Sequence, residues 1–170
     1  MERPRTLASL LASTSLLALV AACGGGDSSG GTTPAGTGRA CTTVEPTLAS
    51  LNANIFSSTE SCGGSNCHGV DRTPENTLHL TGQPDAAVLA ELTKATDRGD
   101  GSTRVVPGDP SKSFLLAKLK GDFTGFPCPP EKDKTKPPYC GNRMPSPPNA
   151  ALCANEIAAI EKWIADGAKP

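Results

Sequence analysis

Aromatic residues make up only 4% of the 170-residue chain: four Phe, one Tyr and one Trp. Rings are the largest apolar units a core can use, so a core this poor in them points to a missing component. Charge bias is absent too, with 16 Lys+Arg against 17 Asp+Glu. Without a basic cluster, nucleic acid is not expected as a partner. No alternating apolar and polar run reaches strand length, which argues against a sandwich or barrel. No internal repeat is present, which argues against a solenoid. Gly 18 and Pro 16 mark a loop-rich chain, still below the roughly 25–30% of fully low-complexity sequences. The length suits one domain plus a tail.

The longest uncharged apolar run, Leu7 to Val20, is shorter than the roughly 20 residues of a comfortable bilayer span. Arg3 and Arg5 precede it, giving the positive and hydrophobic regions of a secretory signal peptide. The segment ends Leu19-Val20-Ala21-Ala22-Cys23, which resembles the lipobox of bacterial lipoproteins, with Cys23 as lipid-attachment residue. An ordinary Ala-x-Ala cleavage site is the competing reading. Residues 24–40 hold no large apolar side chain and cannot offset their ordering entropy, so they read as a flexible linker. The expected organisation is a signal peptide over 1–22, a lipidated Cys and Gly/Ser/Thr linker over 23–40, and one domain over 41–170. Gly24 stands where an Asp would suggest inner-membrane retention, so the resemblance favours an outer-membrane anchor facing the periplasm or the surface. The expected location is the cell envelope, with the lipid anchor as membrane contact.

Export implies an oxidising compartment, where an unpaired cysteine is unusual. With Cys23 lipidated and Cys62 and Cys67 otherwise engaged, Cys41, Cys128, Cys140 and Cys153 remain for two disulfides. Sequence does not choose among their three pairings. The preferred one closes a Pro- and Lys-rich loop with Cys128–Cys140 and joins the domain ends with Cys41–Cys153.

The segment Cys62-Gly63-Gly64-Ser65-Asn66-Cys67-His68-Gly69 carries the chemistry. Two cysteines followed directly by His mark covalent haem attachment: the thiols add to two vinyl groups and the adjacent imidazole becomes proximal iron ligand. Four residues separate the cysteines where the common form has two, and Gly63-Gly64 tolerates the turns a longer loop requires. A Cys62–Cys67 disulfide competes. Half of a zinc site competes less well, because a closed structural site takes four ligands and the only other histidine is His79. A second axial ligand is commonly Met or His. Beyond Met1 the chain has one methionine, Met144, in Gly141-Asn142-Arg143-Met144-Pro145. A lone Met usually fills a core gap, but this one sits in a Pro-rich loop beside Arg143. His79 is the alternative distal ligand, although its place between Leu78 and Leu80 suits an ordinary packed histidine.

Apolar spacing predicts four helices. Leu48, Leu51, Ile55 and Phe56 place one just before the motif, and residues 85–96 hold a second. A third starts at Asp109-Pro110 and ends at Gly121; the last runs from about 155 to 166, with Ile157, Ile160, Trp163 and Ile164 on one face. The predicted class is all-α with long loops. Leu, Ile, Val and Phe number only 23 between residues 41 and 170, a mass that a central prosthetic group and two disulfides would supplement.

In order and spacing, Ile55-Phe56 before SCGGSNCHG, then LHL (78–80), RVVPGDPSKSFLLAKL (104–119), RMP (143–145) and EIAAIEKWIADGA (156–168) resemble the cytochrome c domain of many bacterial lipoproteins and of larger planctomycete and myxobacterial proteins. The four-residue gap between the cysteines departs from the family's usual motif. The resemblance implies a cytochrome c-like helical fold over 55–170, in which the helix bearing Phe56 crosses the one bearing Trp163. It implies one covalent haem c, thioether links at Cys62 and Cys67, proximal ligand His68 and distal ligand Met144. The function it implies is a mono-haem electron carrier, not an enzyme, with redox donor and acceptor proteins as partners and a monomer as the expected state. Arg104 and Arg143 are candidate partners for the haem carboxylates. Lys132, Lys134 and Lys136 could touch a redox partner, but Glu131 and Asp133 interleave with them as on a solvated loop. The alternative function is a haem-free structural or interaction lipoprotein with a Cys62–Cys67 disulfide. Peroxidase-like chemistry ranks last, for want of a distal acid–base pair.

Overall fold

The computed structural model describes residues 39–170 apart from 66, 70–77, 99, 132–133 and 148. The expected signal peptide, Cys23 and the expected linker up to residue 38 lie outside the described residues. Within them the chain is helical, with isolated bridges Ala95–Thr103 and Thr103–Ser113 and no named strand. The all-α expectation holds. No described helix is long and apolar enough to cross a membrane.

Helix α1 (Leu48–Leu51) is capped by the Thr47 side chain, which accepts from Ser50 N–H, and it widens into a π-helical turn over Asn52–Phe56. Leu48, Leu51, Ile55 and Phe56 are all buried, as their spacing requires. Asn52 is buried among them and is satisfied. Its Nδ2 donates to Gln83 O at 3.2 Å and Asp85 Oδ1 at 2.7 Å, and its Oδ1 accepts from Ser57 Oγ at 2.6 Å.

Helix α2 (Asp85–Leu92) is shorter than the predicted 85–96. Thr93 Oγ1 donates back to Leu89 O at 2.9 Å, and Ala95 already bridges to Thr103. The third predicted helix is two elements. A 3₁₀ turn over Pro110–Lys112, capped by Asp109, is followed by α3 (Phe114–Lys120). Ser113 separates them in extended conformation: its buried hydroxyl accepts from Val106 N–H at 2.9 Å and faces Asp109 O at 2.9 Å. Gly121 then ends α3 at φ 72°, the left-handed cap a side chain would strain.

Helix α4 (Ala154–Ala165) buries Ile160, Trp163 and Ile164, and packs the Trp163 ring against Phe56 with centroids 6.1 Å apart. Glu156 on this helix is fully buried. Its carboxylate pairs with Arg39, accepts Thr42 N–H at 3.0 Å and accepts Cys153 N–H at 2.8 Å, completing a capping box. Both preferred disulfides are present. Cys41–Cys153 has Cα atoms 5.7 Å apart, and Cys128–Cys140 has 4.8 Å. A second, smaller apolar cluster forms beside the main core from Phe114, Phe123, Phe126 and the Cys128–Cys140 bridge.

Candidate functional site

Between the main core and this smaller cluster lies a cavity of about 360 Å³, within the roughly 300–1,000 Å³ range of small-molecule and cofactor sites. Its walls bring together Cys62, Cys67, His68 and Met144, with Met144 some 76 positions after His68 in sequence. The surrounding lining is mainly apolar and includes Phe56, Leu78, Leu80, Leu92 and Leu119.

The motif loop is held from both sides. Cys62 N–H donates to Ile55 O at 3.3 Å, tying the first cysteine to the end of the π turn, and His68 N–H closes the loop on Cys62 O at 3.1 Å. Gly63 presses against the helix end: a Cβ there would sit 2.5 Å from Ser57 O and 2.6 Å from Thr81 Oγ1. Gly69 is similarly confined, with a Cβ position 2.8 Å from Ser65 Cα. Both glycines serve close backbone approach.

His68 Nδ1 donates to Leu78 O at 3.0 Å. A carbonyl only accepts, so the proton of the neutral ring is on Nδ1 and Nε2 carries the basic lone pair. The loop returns the support, with Leu80 N–H donating to His68 O at 2.9 Å. Orientation of an imidazole through the opposite nitrogen by a backbone carbonyl is the usual setting of a metal-ligating histidine.

Cys62 and Cys67 are thiols, not a disulfide. Burial, with Cys67 nearby, pushes the Cys62 thiol up to about 12. It is therefore neutral at physiological pH and poorly suited to act as a thiolate. Among the described residues no three His, Cys, Asp or Glu side chains converge as a metal cluster.

Met144 is half-buried and anchored through its backbone, its N–H donating to Lys118 O at 2.7 Å. Ser146 Oγ donates to Met144 Sδ at 3.3 Å. His79 is not among the cavity residues; its Nδ1 pairs with Gln83 Nε2 at 3.0 Å. Of the two candidate distal groups, the structure brings only Met144 to the cavity that His68 lines.

The candidate carboxylate partners separate in the same way. Arg104 lines the cavity, pairing with Asp97 and donating to Glu91 O at 3.2 Å. Arg143 is not a lining residue and donates to Asn149 O at 3.3 Å. Two lining cations were not singled out from the sequence. Arg98 stacks over Phe114 at 4.3 Å and pairs with Asp100 at 2.7 Å. Lys118 lies over Phe123 at 5.5 Å and donates to Cys140 O and Asn142 O. Burial, helped by Arg98, holds the Lys118 ammonium below the ordinary lysine range. Lys118 did leave a trace in the sequence, since it falls one helical turn after Phe114 on an otherwise apolar stripe. Arg98 left none.

These features define a small helical domain whose apolar cavity is lined by two thiols, an oriented imidazole and a thioether. Comparison with family models, curated proteins and solved structures finds no match to the chain.

Proposed function

We propose that the protein is a mono-haem c-type cytochrome, exported and lipid-anchored at Cys23, that carries single electrons at the cell envelope. The observation that carries this reading is the convergence of Cys62, Cys67, His68 and Met144 on one apolar cavity. The residues fit the group chemically. Cys62 and Cys67, both free thiols, would hold the group through two thioether bonds. His68 would offer Nε2 to the iron, because its Nδ1–H donates to Leu78 O. Met144 offers its thioether from the other segment that lines the cavity. A bound haem supplies an iron that gains and loses one electron. The Met144 thioether and the apolar walls would favour the reduced form of the bound group. Leu78, Leu80, Leu92 and Phe56 give the site an apolar wall.

The test is a haem stain of the denatured mature protein together with its intact mass, after expression with cytochrome c maturation machinery. Staining and a mass gain of one haem are expected. A colourless protein of unmodified mass would overturn the reading. If Cys62 and Cys67 were then found oxidised to each other, a haem-free interaction lipoprotein would replace it.

A further inference from the structure

Met144 sits in a loop, yet a ligand to a metal must be held closely in place. The segment 140–144 draws three of its hydrogen bonds from one residue of α3. The Lys118 ammonium donates to Cys140 O at 3.1 Å and Asn142 O at 2.9 Å, and the Lys118 carbonyl accepts Met144 N–H at 2.7 Å. Both ends of this lysine are therefore spent on the same five-residue stretch. Gly141 shows how close the approach is: a Cβ there would stand 2.7 Å from Lys118 Nζ, and its φ of 86° is one that side chains rarely adopt. One turn further along, a Cβ on Gly121 would meet Arg143 Cβ at 3.2 Å. The ammonium also lies over the aromatic floor, with Nζ 5.9 Å from the Phe114 ring centroid and 5.5 Å from that of Phe123. The ammonium is thus given to backbone carbonyls of the ligand loop, and no carboxylate pairs with it among the described residues.

We propose that Lys118 is the positioning residue for Met144: it staples the 140–144 segment to α3 and so sets where the Met144 thioether stands in the cavity. The inference rests on Met144 being the distal iron ligand. Supports of this kind, outside the ligand set, typically change metal affinity or activity by about 10–100-fold when removed.

The test compares the ferric holoprotein with Lys118→Leu, Lys118→Arg and Met144→Ala, following the far-red charge-transfer absorption of a thioether–iron bond and the midpoint potential. Lys118→Leu removes the donors without adding a second thioether to the cavity that Lys118 lines. It is expected to retain covalent haem and helical circular dichroism, to lose most of the far-red absorption and to shift the potential downward. Lys118→Arg, which still reaches carbonyls, should restore most of both signals. A merely structural role would lower the unfolding midpoint and leave the spectrum and potential of the folded protein unchanged; that result overturns the proposal. If Lys118→Leu does not fold, Gly141→Ala takes its place, because it crowds Nζ while keeping the charge. Weakened absorption then supports the proposal and unaltered absorption overturns it. Met144→Ala separates the two levels of the argument. If it leaves the absorption intact, Met144 is not the ligand and the positioning role falls with it. If it abolishes the absorption while Lys118→Leu does not, the failure is that of Lys118 alone.

Discussion

The two disulfides close loops of very different length, and their contributions to stability should differ accordingly. Cys41–Cys153 spans 112 residues and Cys128–Cys140 spans 12. In the chain-entropy model the longer loop constrains the unfolded chain by about 4.8 kcal/mol and the shorter by about 2.8 kcal/mol. The native state should tolerate loss of the longer bridge. The segment around Cys41 stays docked through Arg39 on Glu156, through Thr42 N–H on Glu156 Oε1, and through Asn155 Nδ2 on Thr42 O at 2.9 Å. The double variant Cys41→Ala/Cys153→Ala should therefore be less stable than Cys128→Ala/Cys140→Ala by about 2 kcal/mol. With a urea slope of about 2 kcal/mol/M, this is a difference of about 1 M in midpoint. Equilibrium urea unfolding of the mature protein, followed by Trp163 fluorescence and by far-UV circular dichroism, measures it. The reasoning is refuted if the short-loop variant is the less stable of the two. It is refuted also if loss of Cys41–Cys153 costs under about 1 kcal/mol with an unchanged slope.

Two further outcomes are expected. Gly63→Ala puts a methyl group 2.5 Å from Ser57 O, so the motif loop should lift from the helix end at a cost of about 1–3 kcal/mol; thermal unfolding reads the loss, and an unchanged midpoint would contradict the packing described. Asp109 accepts hydrogen bonds from Ser111 and Lys112, which lower its carboxyl from the usual 3.8 to about 2. Its folded value lies below its unfolded one, so its contribution is present above pH 3.8 and disappears as pH falls towards 2. An NMR titration should find its midpoint near 2, and an ordinary carboxylate midpoint would exclude the cap geometry.

The four helices were legible because their buried residues recur at helical spacing: Leu48, Leu51, Ile55 and Phe56 in the first, Ile160, Trp163 and Ile164 in the last. The cysteines could be counted, and the site residues named, from residue type and local order. What local order did not carry was set at long range. Ser113 interrupts the third helix because Val106, seven residues back, donates to its hydroxyl. Asn52 looks out of place on an apolar face until Gln83 and Asp85 arrive to satisfy it. Met144 was preferred to His79 on its loop setting and on the family resemblance, but its arrival at the cavity depends on the return of the 140–145 segment to α3, which local order does not carry. Arg98 contributes to the cavity from a Gly- and Asp-rich loop whose sequence looks like plain surface.

The Arg39–Glu156 pair and the neighbouring bridge also decide where mechanical load would enter the domain. A pull applied through the chain upstream of Arg39 reaches a covalent link to Cys153 within three residues, and passes from there into the first turn of α4. A load entering at Arg39 would thus fall first on a disulfide and a capped helix start.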